Sequence, residues 1–296
     1  MGTTAVHSLV RSQPGFLDTV PDGNRDDLFE AYLGFLKDRN GELRADGRFT
    51  HRETWLEQAA QSPISHRRPM DQGEFEASYA RFDAKRELSL EHLALLAFVK
   101  LNSVEAYGVE VGGKARKRFH QDPRLMYRVE KVLNHEENYH TRILLGAAQH
   151  FGVTAQGAWR PPFALRVFIG AIVHAPQSLF HTLVIGGEIA GVYMFSWMLR
   201  RVGEIYKDEP ELRDAMEARL IEILIDEVGH VAYNRLIVGP MGLSLGHKLA
   251  RLLVGTSTKF VPEMGPLGIK ESIRDEFAHF DYASLPEEVR RRSFYC

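Results

Sequence analysis

Cysteine is nearly absent from this chain of 296 residues: the only one is Cys296, the last residue. A lone thiol excludes an intrachain disulfide framework, a thiolate zinc site and a CxxC redox pair, and it fits a reducing compartment such as the cytoplasm. An excess of one charge is lacking too. Lys and Arg number 37 against 39 Asp and Glu, a formal net charge of −2. A near-neutral chain has no electrostatic case for general nucleic-acid binding. The opening MGTTAVHSLVRSQPGF has no apolar core of the kind a secretory signal needs. No stretch alternates apolar and polar residues with period two, so no strand is expected, and no internal repeat or low-complexity tract is visible. Long hydrophobic runs are confined to one, between Arg166 and Arg200, in which Glu188 is the only formally charged residue. It is long enough to cross a bilayer, but Pro176 and two histidines divide it and there is no second such run. A fully buried helix, not a membrane span, is the reading preferred here.

What is present is a globular composition, 44% apolar and 26% charged. At this length roughly 70–75% of the unfolded surface can be buried, enough for a core with a site inside it. Residues 1–25 lack periodicity and read as an irregular arm, and 26–296 read as one helical domain. Asp26 or Asp27 is placed to cap a short helix ended by Gly41, and Thr50 another to about Ala60. Residues 61–87 mix loop and helix. Four long helical segments follow. The first runs from Ser89 to Val111 and stops at Gly112-Gly113. The second is opened by Asp122-Pro123 and closed by Gly152. The third runs from Gln177 to Arg201, after a separate apolar helix at 163–174, and Gly203 ends it. The fourth is opened by Asp208 and Pro210 and ends near Gly239-Pro240. One or two more helices are expected in a C-terminal extension, 244–296, interrupted by VPEMGPLG.

The apolar faces of the long helices carry acids. Leu133, Glu137, His140 and Leu144 share one face, because residues three or four apart line up on a helix. Leu220, Glu227, His230 and Val231 do the same. Glu188 lies in the stripe of Val184, Val192 and Phe195, and Glu105 in that of Phe98, Asn102 and Val109. Two Glu-x-x-His pairs and two lone glutamates would thus converge in one bundle. Four buried carboxylates cannot all stay ionised without partners, and no Arg or Lys lies within ten residues of Glu188. Two divalent cations would cancel the four negative charges, and carboxylate with neutral imidazole suits iron or manganese.

Glu-x-x-His alone is a weak signal: 25 Glu and 13 His in 296 positions give about one match by chance, and the chain has three. The third, Glu276 with His279, sits in a charged polar segment and reads as an ordinary solvated helix. Glu110 is the solvated rival of Glu105, for which Lys100 offers a salt bridge as the alternative. The other two pairs gain their weight from the order Glu, Glu-x-x-His, Glu, Glu-x-x-His on long apolar helices.

That order, over residues 89–239, resembles the ferritin-like carboxylate-bridged di-iron superfamily, in its dioxygen-activating branch. The matching residues are Glu105, Glu137, His140, Glu188, Glu227 and His230. Locally, Glu136-Glu137-Asn138-Tyr139-His140 and Asp226-Glu227-Val228-Gly229-His230 are similar to the paired motifs of soluble acyl-carrier-protein desaturases and multicomponent hydroxylases. Arylamine N-oxygenases share the six ligands but add a histidine where this chain has Ile223. The resemblance implies an all-α, ferritin-like four-helix bundle with extra terminal helices. It further implies a di-iron centre, with manganese as the other option, and dioxygen-dependent oxidation of a small or carrier-bound organic substrate. The oxidation could be hydroxylation, N-oxygenation or desaturation, with electrons from a separate reductase. The alternative is a non-oxygenase relative: ferroxidase or storage protein, peroxidase, or manganese catalase.

Several further residues have two readings each. Glu136 and Asp226 stand four before the two histidines and are placed to accept an imidazole N–H, from their own helix or across the bundle. Gly186, Gly187 and Gly191 either let helices approach closely or leave room for dioxygen beside Glu188. Tyr193 and Tyr233 read as packing more than as radical sites, and His174 and His181 as structural. Phe98, Leu101, Met194, Phe195 and Trp197 suggest an apolar substrate or plain core. The basic runs Lys114–Arg118 and His66–Arg68 are the docking candidates for an acidic carrier. The stretch LARLLVGTSTKFVPEMG would cover the pocket or form a homodimer interface.

Overall fold

A computed structural model describes residues 15–20, 25–61, 69–83, 85–115, 122–155, 159–269 and 273–296, without the side chains of 113 and 114. The fold is all-α. Among the described residues there is no strand, only an isolated bridge between Leu43 and Phe49. In chain order the helices are α1 (Arg25–Asn40), α2 (Thr50–Gln61), α3 (Gln72–Ala80), α4 (Leu90–Lys100), α5 (Ser103–Ala115), α6 (Leu125–Gly146), α7 (Phe163–Val173) and α8 (Gln177–Ile205). They continue with α9 (Pro210–Ile237), α10 (Pro240–Gly255), α11 (Ser257–Phe260), α12 (Ile273–Ala278) and α13 (Glu287–Arg292).

Two helices form the centre. Nearly every residue of α9 from Arg219 to Leu236 is buried, so its polar positions Glu222, Asp226, Glu227, His230 and Asn234 all lie inside the protein. Helix α8 is the one described helix long and apolar enough to cross a membrane, but 67% of its apolar window is buried within the protein. It packs along α9 on one side and α10 on another. Gly186 and Gly246 make the second contact close: a methyl on Gly186 would stand 2.7 Å from the Gly246 carbonyl oxygen. Helices α4, α5 and α6 complete the wall around α8 and α9.

The expected first long helix is in fact two. It breaks at Leu101 and Asn102, where Leu101 N–H turns back to Phe98 O at 3.3 Å and a new helix starts at Ser103. Asn102 is buried, with its amide held by Thr141 of α6 at 3.0 Å, and that side-chain anchoring replaces helical continuity. Gly112 and Gly113 do not stop α5, and Gly203 does not stop α8, since none has a positive φ. Gly112 instead faces Val173 of α7. The glycines that do end helices, Gly41 and Gly152, have φ of 75° and 71°. Helix α6 opens at Leu125, not at Asp122-Pro123, because the Asp122 carboxylate accepts Arg124 N–H in a turn ahead of it. Asp26 and Asp27 lie in the first turn of α1, which already starts at Arg25.

The described part of the N-terminal arm is irregular but anchored. Phe16 is buried, its N–H bonds Asp281 Oδ1 at 2.6 Å, and its ring meets those of Phe280, Tyr282 and Tyr295. Cys296 is buried beside them, and burial pushes its thiol up to about 11. The basic runs at 66–68 and 116–118 lie outside the described residues.

Candidate metal centre

Six side chains from four helices meet in the interior: Glu105 from α5, Glu137 and His140 from α6, Glu188 from α8, Glu227 and His230 from α9. They form two overlapping groups. Glu105, Glu137, His140 and Glu227 bring one potential ligand atom each within 4.8 Å of the others, and so do Glu137, Glu188, Glu227 and His230. Glu137 and Glu227 belong to both. Each splits its carboxylate: Glu137 Oε2 is 3.3 Å from His140 Nδ1 while Oε1 is 2.9 Å from His230 Nδ1. Glu227 Oε1 lies 3.0 Å from His140 Nδ1 and Oε2 3.9 Å from His230 Nδ1. Glu188 Oε2 stands 3.7 Å from His230 Nδ1. The imidazoles stack at 5.6 Å.

The far side of each ring is held across the protein. Asp226 of α9 meets His140 Nε2 at 3.1 Å, and Glu136 of α6 meets His230 Nε2 at 3.3 Å. Each of the two helices thus orients the other's histidine, leaving both Nδ1 atoms turned toward the carboxylates. Behind this pair stands a group the sequence reading missed. Arg52 of α2, only 2% exposed, reaches Asp226 Oδ1 at 2.5 Å, Glu136 Oε1 at 3.3 Å and Glu222 Oε1 at 2.8 Å. Asn40 donates to Glu136 at 2.6 Å, Arg39 to Asp226 at 2.6 Å, and Arg292 to Glu222 at 3.0 Å. Three arginines therefore match three acids. Arg52 lies on a short, mostly polar helix whose pattern gives no sign that the side chain points inward; only the unpaired Glu136 and Asp226 could have called for it.

Among the described residues, no such cation pairs with the inner carboxylates. Both oxygens of Glu227, Glu137 Oε2, Glu188 Oε2 and His140 Nδ1 are buried without a hydrogen bond. Several close approaches without hydrogen-bond geometry, around one point, are what a ligand set aimed at a cation leaves when only the protein is counted. Without a cation, protons take its place. Burial, with Glu227, Glu137 and Glu188 nearby, pushes Glu105 well above the carboxylate range. Burial and Glu137 push Glu227 up to about 8. Burial works against Glu137 as well, but the two histidines outweigh it and hold that group at about 2. Both imidazoles are raised in spite of burial, chiefly by the acids around them. Four acids and two neutral imidazoles at these distances fit a pair of divalent cations.

Other candidates resolve individually. Lys100 pairs with Glu263 at 2.5 Å, so it is not the partner of Glu105. Turned so that its oxygen faces Thr141, the Asn102 amide instead donates to Glu105 Oε2 at 2.5 Å. Glu110, Glu276 and His279 are exposed. A methyl on Gly191 would stand 2.9 Å from Glu105 Oε1, whereas one on Gly187 would meet nothing within 4 Å. Gly191 thus makes room for a carboxylate, Gly187 opens into space and Gly186 serves helix packing.

That space is a cavity of about 220 Å³, reaching Glu105, Glu137, Glu188 and His230. Its walls are mostly apolar, from Val104 and Val109 on α5, Leu165, Phe168 and Ile169 on α7, and Leu249 and Leu253 on α10. The expected apolar neighbours Phe98, Met194, Phe195 and Trp197 are buried in the main core, and none of them, nor Leu101, lines the cavity. Of the two readings of the 249–265 stretch, covering the pocket fits the places of Leu249 and Leu253. His181, bonded to Asn234 at 2.9 Å, and Tyr233 line the cavity too, while Tyr193 packs against Phe277 and Phe280 on the C-terminal segment. His174 is exposed. Comparison of the chain with protein families, curated proteins and solved structures finds no match.

Proposed function

We propose that the protein is a non-haem di-iron oxidoreductase of the ferritin-like, dioxygen-activating kind, oxidising an apolar organic substrate with electrons from a separate reductase. The observation that carries this reading is the shared pair Glu137 and Glu227, each presenting one oxygen to either histidine amid buried oxygens with no other partner. In this reading Glu137 and Glu227 would serve both irons, Glu105 and His140 would help hold one, and Glu188 and His230 the other. Bound iron would supply the reduction of dioxygen and the oxidation of a nearby substrate bond.

The chain's own residues do the rest. Asp226 and Glu136 keep each histidine N–H on Nε2, so that Nδ1 offers a lone pair inward. Arg52 holds those two acids in place and neutralises them. Asn102 steadies the outer oxygen of Glu105, and Gly191 leaves that carboxylate the space to change orientation. The mostly apolar cavity excludes water and admits a substrate against Glu105 and Glu188, with Asn134, Tyr233 and His181 as the polar contacts along its wall.

Elemental analysis tests the reading. Protein expressed with iron, or stripped and reloaded anaerobically, should hold about two irons per chain. Absence of metal after both treatments overturns it. Admitting oxygen to the reduced protein should consume oxygen in proportion to the bound iron and stop there without substrate and reductant. Continued uptake of iron into mineral would point to storage.

A further inference from the structure

Seven of the ten large apolar side chains exposed among the described residues fall on three neighbouring segments: Phe163, Val167 and Phe168 on α7, Leu179 at the start of α8, and Met241, Leu245 and Leu252 on α10. Met241 is 88% exposed and Phe163 73%. On α10, Met241, Leu245, Lys248 and Leu252 follow i, i+4, i+7 and i+11, one outward stripe; the buried residues Leu243, Gly246, Ala250 and Val254 take the opposite side. On α7, Phe163 and Val167 point out while Leu165, Ile169 and Val173 are buried. Two helices that both wall the cavity thus expose apolar stripes where solvent-facing helices ordinarily carry charge.

The charges carried by these segments themselves share one sign. No Asp or Glu lies between Glu137 and Glu188, nor between Glu227 and Glu263, in a chain that over its whole length has slightly more acids than bases. Arg160, Arg166, Lys248, Arg251 and Lys259 belong to those stretches, and the Arg166 guanidinium lies 5.7 Å above the Phe163 ring. Asp275 of α12 approaches Arg251 to 3.9 Å. The cavity comes to the surface at the same place: Phe168 is both exposed and part of its lining, with Leu249 and Leu253 of α10 among the walls.

We propose that this face, formed by α7, the first turn of α8 and α10, docks on the surface of a lipid bilayer carrying anionic headgroups, with the mouth of the cavity turned toward the lipid. Apolar stripes rimmed by cations are the pattern that seats a helix at the level of the headgroups. Helices of 11 and 16 residues lie in that layer and do not cross it. A second copy of the chain is a poorer occupant, since a twofold contact would bring the same cations face to face. That the bilayer also delivers the substrate rests on the oxidation reading above; the docking itself does not.

Co-sedimentation of the full chain with lipid vesicles tests this. Vesicles of phosphatidylcholine with about 30 mol% phosphatidylglycerol should bind at least about tenfold more tightly than phosphatidylcholine alone, and added salt should weaken the binding. The double substitution Phe163→Ser with Leu245→Ser should lower vesicle affinity at least about tenfold, and Met241→Ser, which touches no core, by less. Leu90→Ser, an exposed apolar site elsewhere, should leave it unchanged. Lys248→Glu with Arg251→Glu should abolish the preference for anionic lipid. Thermal unfolding of each variant checks that it folds. No vesicle binding by the unsubstituted chain, equal binding to both lipids, or a dimer in light scattering that the Phe163 and Leu245 changes split, each overturns the proposal. Metal content measured on the same samples keeps the two readings apart, because protein without iron should still bind vesicles.

Discussion

Arg52 Nη2 stands 2.5 Å from Asp226 Oδ1, joining a short N-terminal helix to the buried stretch of α9. The other oxygen of Asp226 faces His140, so one guanidinium reaches a candidate metal ligand through a single intermediary. Breaking a buried ion pair from one side leaves an uncompensated charge, and Arg52 compensates three acids. Arg52→Ala should therefore cost roughly 3–5 kcal/mol in urea unfolding. Arg52→Lys should recover part of that but lose the fork that serves Glu136 and Asp226 together. A loss below about 1 kcal/mol would mean that the network contributes little.

The shared carboxylates predict an unequal response to substitution. Glu137→Ala and Glu227→Ala each remove a ligand from both groups and should leave less than about half a metal per chain under the six-ligand template. Glu105→Ala and Glu188→Ala each touch one group and should leave about one. Glu276→Ala should change nothing, its side chain being exposed. Equal losses across all four would show that the two groups are not built on a common pair.

Metal uptake should depend on pH in one direction. With no cation present, His140, His230 and Glu105 are all raised and Glu227 lies at about 8, so these groups hold protons at neutrality. A cation must displace them, so binding releases protons and apparent affinity rises with pH. Uptake should weaken steadily as pH falls below about 8, where Glu227 gains its proton. Calorimetric titration in two buffers of different ionisation enthalpy counts the protons; a count of zero contradicts the assignment.

Gly191→Ala places a methyl 2.9 Å from Glu105 Oε1 and 3.7 Å from Glu227 Oε2. The Glu105 carboxylate must turn, and metal content should fall by about half with unfolding nearly unchanged. Gly187→Ala meets open space and should leave metal content intact.

Much of this was legible along the chain. The helical face rule alone put Glu137 with His140 and Glu227 with His230, because backbone geometry decides which residues three apart share a side. The absence of any Lys or Arg near Glu188 marked it as an acid needing a partner from elsewhere, and the turn chemistry of Gly41, Gly152 and Pro210 located helix ends. Where local rules failed, a contact distant in sequence was the cause. Asn102 broke a helix that periodicity ran straight through, because its amide is held by Thr141 of another helix. Lys100, apparently available to Glu105, is taken by Glu263, which lies 163 residues further on.

Composition and helical period by themselves determined that the chain is all-α and which acids and histidines sit on apolar faces, since both follow from local geometry and the cost of exposing apolar surface. Only tertiary packing decided that Asp226 supports His140 while Glu136 supports His230, that Arg52 stands behind both, and that the cavity is walled by α5, α7 and α10. Those relations depend on how separate helices are rotated and spaced against one another, which no periodicity within one helix encodes.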